Sequence, residues 1–228
     1  IERRPYVADA ISSGADFAVS VSQLRYAKVP AFRSIVYGLS AKFKKREQLG
    51  IAASLKKLSR QVLPAGSWAA WKTAVAKHGP EMLVAIGHVE QRLNAIDALE
   101  IGDEHLRSTN VTSSHIRKSD GAVPVDVLLG CGTLYAENEL GNFVRHFSRH
   151  GAGLIVATIA SMLTVEAQLC VDAITQAFDE ARASGVEGDS DGHNTVGFAV
   201  LRAKQTLLAA GSGLGLALTG AGASEWEF

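Results

Sequence analysis

Ile51, Leu55, Leu58 and Val62 recur at helical spacing, and at about 100° per residue they form one narrow stripe with Lys56, Lys57 and Arg60 on the opposite side. The pattern predicts an amphipathic helix with a basic face. Upstream, residues 32–46 read as a helix opened by Pro30 and closed by Lys44, Lys45 and Arg46, cations that suit the negative end of a helix dipole. Ser67 ahead of Trp68, Trp71 and Val75 predicts a short capped helix, stopped by His78-Gly79-Pro80. Met82, Ile86, Val89, Leu93 and Ile96 repeat by threes and fours, so the next helix is expected to run to about Leu99.

Pro124 can occupy the first turn of a helix through Leu128, Leu129 and Tyr135, and a longer pattern follows from Leu154 through Ile159, Leu163, Cys170, Ile174 and Phe178 to a stop at Gly185. A last helix spans about Thr195 to Ala210. No strand alternation or hairpin signal stands out, so the expected class is all-α, a two-lobed helical bundle with flexible N- and C-terminal arms. Residues 108–121 are polar and without periodicity, and they serve as the expected linker. This divides the chain into a basic N-terminal lobe (1–107), the linker, an acidic C-terminal lobe (122–210) and a Gly-rich apolar arm (211–228).

Composition narrows the classes. A chain of 228 residues that is 47% hydrophobic buries enough surface to fold without staples, which excludes disorder along its whole length. Cys131 and Cys170 form no C-x-x-C pair, so neither a disulfide scaffold nor a cysteine-only zinc site is expected, and a reducing compartment is the default. No signal peptide pattern appears, and the uncharged stretches 151–165 and 205–223 are too short or too rich in glycine for a membrane span. Cytoplasm or a virion is the expected location.

Charge is sharply segregated. Residues 1–80 carry 14 Lys+Arg against 4 Asp+Glu, and residues 81–228 carry 9 against 19. Such blocks point either to a polyanion or to an oppositely charged surface, including the chain's own. The segment from Arg25 to Lys77 holds 12 Lys+Arg, one acid (Glu47) and interleaved Tyr26, Phe32, Tyr37 and Phe43, a combination suited to phosphates and stacked bases. The expected RNA-binding residues are Arg25, Lys28, Arg33, Lys42, Lys44, Lys45, Arg46, Lys56, Lys57 and Arg60. In the arm, Leu214, Leu216, Leu218, Trp226 and Phe228 either pack on their own subunit or reach a neighbour as assembly contacts.

The run Arg145-His146-Phe147-Ser148-Arg149-His150-Gly151 resembles the motif of HEPN-type ribonucleases, all-helical domains that cleave RNA without a metal. The resemblance covers that run alone. It implies that Arg145 stabilises developing phosphorane charge and His150 moves a proton, with His146 in the polar second position. His146 and His150 also share the spacing of two zinc ligands, but no third ligand accompanies them. The Glu187-to-Gly192 run opens like a calcium loop whose twelfth position is Phe198 rather than glutamate. Neither a metal nor a cofactor is expected.

The reading that unites charge, arm and missing nucleophile elbow is a non-enzymatic, RNA-associated self-assembling protein of the coat or nucleoprotein kind. It would bind single-stranded RNA in the basic lobe and form homo-oligomers through acidic–basic lobe contacts and the arm. The alternatives are the HEPN-like ribonuclease using Arg145 and His150, and a helical protein–protein adaptor.

Overall fold

The computed structural model describes residues 31–87, 89–90, 98–118, 123–130, 143–158, 164–184 and 195–222. Along them run β1 (Ser34–Leu39), α1 (Lys45–Leu58), β2 (Gln61–Ala65), α2 (Trp68–His78), β3 (Met82–Ile86), β4 (Val89–Glu90), β5 (Ala98–Ile101) and β6 (Glu104–Arg107). Then come β7 (Val125–Leu129), α3 (Phe143–Arg149), β8 (Leu154–Thr158), α4 (Thr164–Ser184), α5 (Val196–Ala209), α6 (Leu214–Ala217) and β9 (Leu218–Gly222). The all-α expectation is overturned: the fold is α/β.

A six-stranded sheet has the order β2-β1-β3-β7-β8-β9. Its first five strands are mutually parallel, and β9 closes the edge antiparallel to β8. A second sheet, β4-β5-β6, is antiparallel. The large sheet continues across the polar 108–121 segment, because β3 before it pairs with β7 after it.

The strands escaped a periodicity reading for a physical reason. MLVAI, VDVLL and LIVAT are buried along their whole lengths. Strands covered on both faces read as continuous apolar runs, not as alternation, and at five residues they match a helical stripe as well. Met82 and Ile86 therefore point to the same face of β3, not along a helix. In the same way residues 34–39 are β1, and Lys44, Lys45 and Arg46 fall at the start of α1 rather than at the end of a helix. The Glu47 side chain offsets that placement by accepting from the Lys44 amide at 2.8 Å.

Where caps marked the ends, local chemistry prevailed. Ser67 accepts from the Ala70 amide at the start of α2, and Gly79 ends that helix at φ 53°, a conformation that only glycine adopts without cost. Thr195 caps α5 through the Phe198 amide. The amphipathic stripe holds for Ile51, Leu55 and Leu58, buried on α1, but the helix ends there: Val62 falls in β2 and Arg60 in the loop before it.

Two cores cover the sheet. On one face α1, α4 and α5 pack on Ile35, Val84, Val127 and Val156; on the other α2, α3 and the small sheet pack on Val36, Leu83, Leu128 and Ile155. The result is a three-layered α/β/α arrangement. The C-terminal segment belongs to it: Leu214 and Leu218 are buried in the subunit's own core, and Leu218–Gly222 pairs with β8. Those two residues therefore follow the first of the two expectations, packing on their own subunit. Leu216 is exposed, and Trp226 and Phe228 lie outside the described residues. No helix among the described residues is long and apolar enough to cross a membrane.

Candidate functional site

The strand order reverses direction at β1 and β3: the chain passes from β1 outward to β2, then returns across β1 to β3. In parallel α/β sheets such a switch opens a crevice at the C-terminal strand ends, where ligands bind. Here that edge is built from small residues. The buried Ser40, just after β1, donates its amide to the Ile86 carbonyl at 3.0 Å. Gly87, just after β3, donates to the Leu129 carbonyl at 3.0 Å. Gly130, just after β7, is gripped by Thr158 at the end of β8: Thr158 Oγ1 donates to the Gly130 carbonyl at 2.6 Å and accepts from its amide at 3.2 Å.

The small sheet forms one wall. A Cβ placed on Gly87 would stand 2.4 Å from the Glu100 carbonyl oxygen and 2.7 Å from Leu99 Cδ1, so β5 lies directly against that glycine. Gly102 exchanges backbone bonds with the end of β1, donating to Leu39 at 2.8 Å and accepting from Ala41 at 2.9 Å. From the other side, α2 holds the same sheet. The Trp68 indole donates to the Leu99 carbonyl at 3.0 Å, and Glu104 Oε2 accepts from the Trp68 amide at 2.7 Å. Glu100 is buried with its carboxylate 3.3 Å from Lys42 Nζ.

The sequence continues from Gly87 into His88 and from Gly130 into Cys131. Both lie outside the described residues, as does the 187–192 segment that opens like a calcium loop. Neither was singled out from the sequence, because a lone histidine and a lone cysteine 43 positions apart carry no local motif. A usable signal was present in hindsight: each follows an apolar run ending in glycine, VAIG-H and VLLG-C.

The expected RNA-binding residues divide into two groups at opposite ends of α1, about 20 Å apart for its 14 residues. Lys42, Lys44, Lys45 and Arg46 are exposed near the C-terminal end of β1. Arg33, Lys56, Lys57 and Arg60 meet at the other end, where Arg182 joins them. Arg25 and Lys28 lie outside the described residues. Of the aromatics expected to stack on bases, Phe32 and Phe43 are buried and Tyr37 packs against the core, while Tyr26 lies outside the described residues.

Arg145 sits on α3 and His150 follows it, both half-buried. The all-helical fold that the HEPN resemblance implies is contradicted by the sheet. No group of three His, Cys, Asp or Glu side chains able to hold a metal occurs among the described residues.

Four titratable groups among the described residues are displaced by burial, which raises the Tyr37 hydroxyl among them. Desolvation pushes the Cys170 thiol up to about 12, with Glu166 adding to it. Asp126, in the middle of β7, has neither carboxylate oxygen hydrogen-bonded, and desolvation holds its carboxyl well above the usual range. Desolvation lowers His115, helped by the nearby Lys72 charge.

No family model and no curated protein matches this sequence. Among solved structures, the chain is similar to one chain of the crystal structure of the Saccharomyces cerevisiae separase–securin complex. The match has a TM-score of 0.53 at 15% identity, and covers 89% of this chain and 13% of that one. At that identity the likeness extends to the α/β fold and no further.

Proposed function

We propose that this chain is a cysteine-dependent hydrolase of acyl bonds, with Cys131 as nucleophile and His88 as its base. The observation that carries the reading is the Gly87 amide bonded to the Leu129 carbonyl, which places the exits of β3 and β7 side by side at the C-terminal edge. The next residue along each exit is His88 or Cys131. A histidine and a cysteine far apart in sequence, each following along the chain from one of two neighbouring strand ends, are the residue types that thiolate catalysis needs.

In this proposal the imidazole takes the thiol proton, and the sulfur attacks the acyl carbon. The leaving group departs with the proton from the imidazole, leaving a thioester. Water then adds to the thioester, releasing the acid and restoring the thiol. The described residues support the pair by fixing its flanks: Gly130 is held at both ends by Thr158, and Gly87 lies between Leu129 and Glu100. A thiol nucleophile suits a reducing compartment such as the cytoplasm.

The test is the rate of Cys131 alkylation by iodoacetamide across pH in the whole chain, followed by mass spectrometry. The expected profile has an apparent pKa below the roughly 8.5 of a free thiol, and it returns to that value in His88→Ala. A Cys131 that reacts identically with and without His88 overturns the proposal. The rival proposals from charge and motif forecast otherwise. An RNA-associated assembly protein copurifies with nucleic acid, and a HEPN-like ribonuclease loses RNA cleavage in Arg145→Ala and His150→Ala.

A further inference from the structure

At the end of the sheet opposite the proposed catalytic edge, Arg33, Lys56, Lys57, Arg60 and Arg182 line an open groove of about 460 Å³ floored by Phe32 and Leu58. We infer that this groove docks an acidic peptide segment of a partner protein, at a surface remote from the proposed catalytic edge and independent of that reading.

The charge balance favours an anionic occupant. Of the two carboxylates that meet groove cations among the described residues, Glu81 is engaged by the Arg33 and Ser34 amides at 3.1 and 2.9 Å and reaches the Arg33 side chain only at 3.8 Å. Asp179 pairs with Arg182, whose other terminal nitrogen donates to the Leu58 carbonyl at 3.2 Å. Lys56, Lys57 and Arg60 are exposed and take part in no ion pair of the described residues. Lys56 and Lys57 partly offset the negative end of the α1 dipole. Arg33 and Arg60 lie beyond that helix, and their planar forks match carboxylates in pairs, while the Arg182 fork is already held by Asp179 and the Leu58 carbonyl.

The lining decides between a peptide and a nucleic acid. Single-stranded nucleic acid needs exposed aromatic faces between its phosphate contacts. Phe32, the one aromatic lining the groove among the described residues, is 4% exposed and edge-on to Phe178, so it offers no stacking surface. With Phe32 and Leu58 both buried, the groove presents its cationic rim, which suits a peptide whose acidic side chains pair with the Arg and Lys heads.

Fluorescence anisotropy of the whole chain with a labelled peptide of alternating Glu and Leu tests this, with labelled oligo-uridine in parallel. The expected result is salt-sensitive peptide binding tighter than that of the RNA, weakened about tenfold in the combined Lys56→Gln, Lys57→Gln, Arg60→Gln variant. If that variant melts early, the single exposed Lys57→Glu reads the same effect. No peptide binding, binding untouched by these changes, or tighter binding of oligo-uridine overturns the proposal. Cys131 alkylation is expected to be unchanged in the groove variants, so this surface and the proposed catalytic pair fail or stand separately.

Discussion

A single hydroxyl holds both polar groups of Gly130: Thr158 Oγ1 donates to the glycine carbonyl at 2.6 Å and accepts from its amide at 3.2 Å. Thr158 is fully buried, so water cannot replace it. Thr158→Val keeps the shape and leaves a buried N–H and C=O unsatisfied, at an expected cost of about 1–3 kcal/mol in urea unfolding. Thr158→Ser retains the hydroxyl and should recover most of it. If Gly130 sets the proposed nucleophile, the valine variant also slows Cys131 alkylation at temperatures where it remains folded.

Gly87 is expected to tolerate no side chain. A Cβ there meets the Glu100 carbonyl oxygen at 2.4 Å, a backbone atom that cannot rotate away. Gly87→Ala should therefore lower stability by about 1–3 kcal/mol, the usual cost of overpacking. It should also loosen the small sheet, read as faster amide exchange at Leu99 and Glu100. Unchanged exchange at those amides would show that the strands part without strain.

Cys170 is expected to be inert in the folded chain. It is buried and its thiol is pushed up to about 12, so almost no thiolate exists at neutral pH. Mass spectrometry after native alkylation should find Cys170 unmodified, and modified once the chain is denatured. Native labelling of Cys170 would mean that α4 opens locally.

Asp126 makes stability depend on pH in the opposite sense to a salt-bridged acid. Its folded carboxyl is held well above the ordinary range by desolvation, so the folded state keeps a proton that the unfolded state releases. The stability it contributes is full below the unfolded value of about 3.9 and is lost as pH rises toward the folded value. Asp126→Asn, which carries no charge at any pH, should gain thermal stability relative to the parent as pH rises from about 4 to 7.5. Measuring the difference between the two proteins cancels the contribution of His115, whose lowered value acts in the reverse direction. A difference independent of pH would mean that folding leaves the Asp126 carboxyl at its unfolded value.

Some local signals were read correctly, although Pro124, taken to open a helix, leads into β7. The Ser67 and Thr195 caps, the Gly79 stop and the stripe of α1 each involve residues within a turn or two, and spacing alone exposes them. The same spacing misled at Met82–Ile86 and Leu154–Thr158, because a run buried on both faces carries no period. The misreading at residues 32–46 then put three cations at the wrong end of a helix. Of the basic residues singled out from charge, Arg33, Lys56, Lys57 and Arg60 share a groove, while Lys42 and Lys44 to Arg46 lie at the other end of α1.

The sequence by itself determined the Ser67 and Thr195 caps, the Gly79 stop, the apolar face of α1 and the segregation of charge, since these follow from neighbours along the chain. Only the tertiary structure decided that the apolar runs pair as parallel strands, that Arg182 joins cations more than a hundred residues away, and that the exits of β3 and β7 meet. Parallel pairing joins segments separated by whole crossover helices, and its hydrogen bonds are made by backbone groups common to every residue. No side-chain pattern within either strand records which partner it will find.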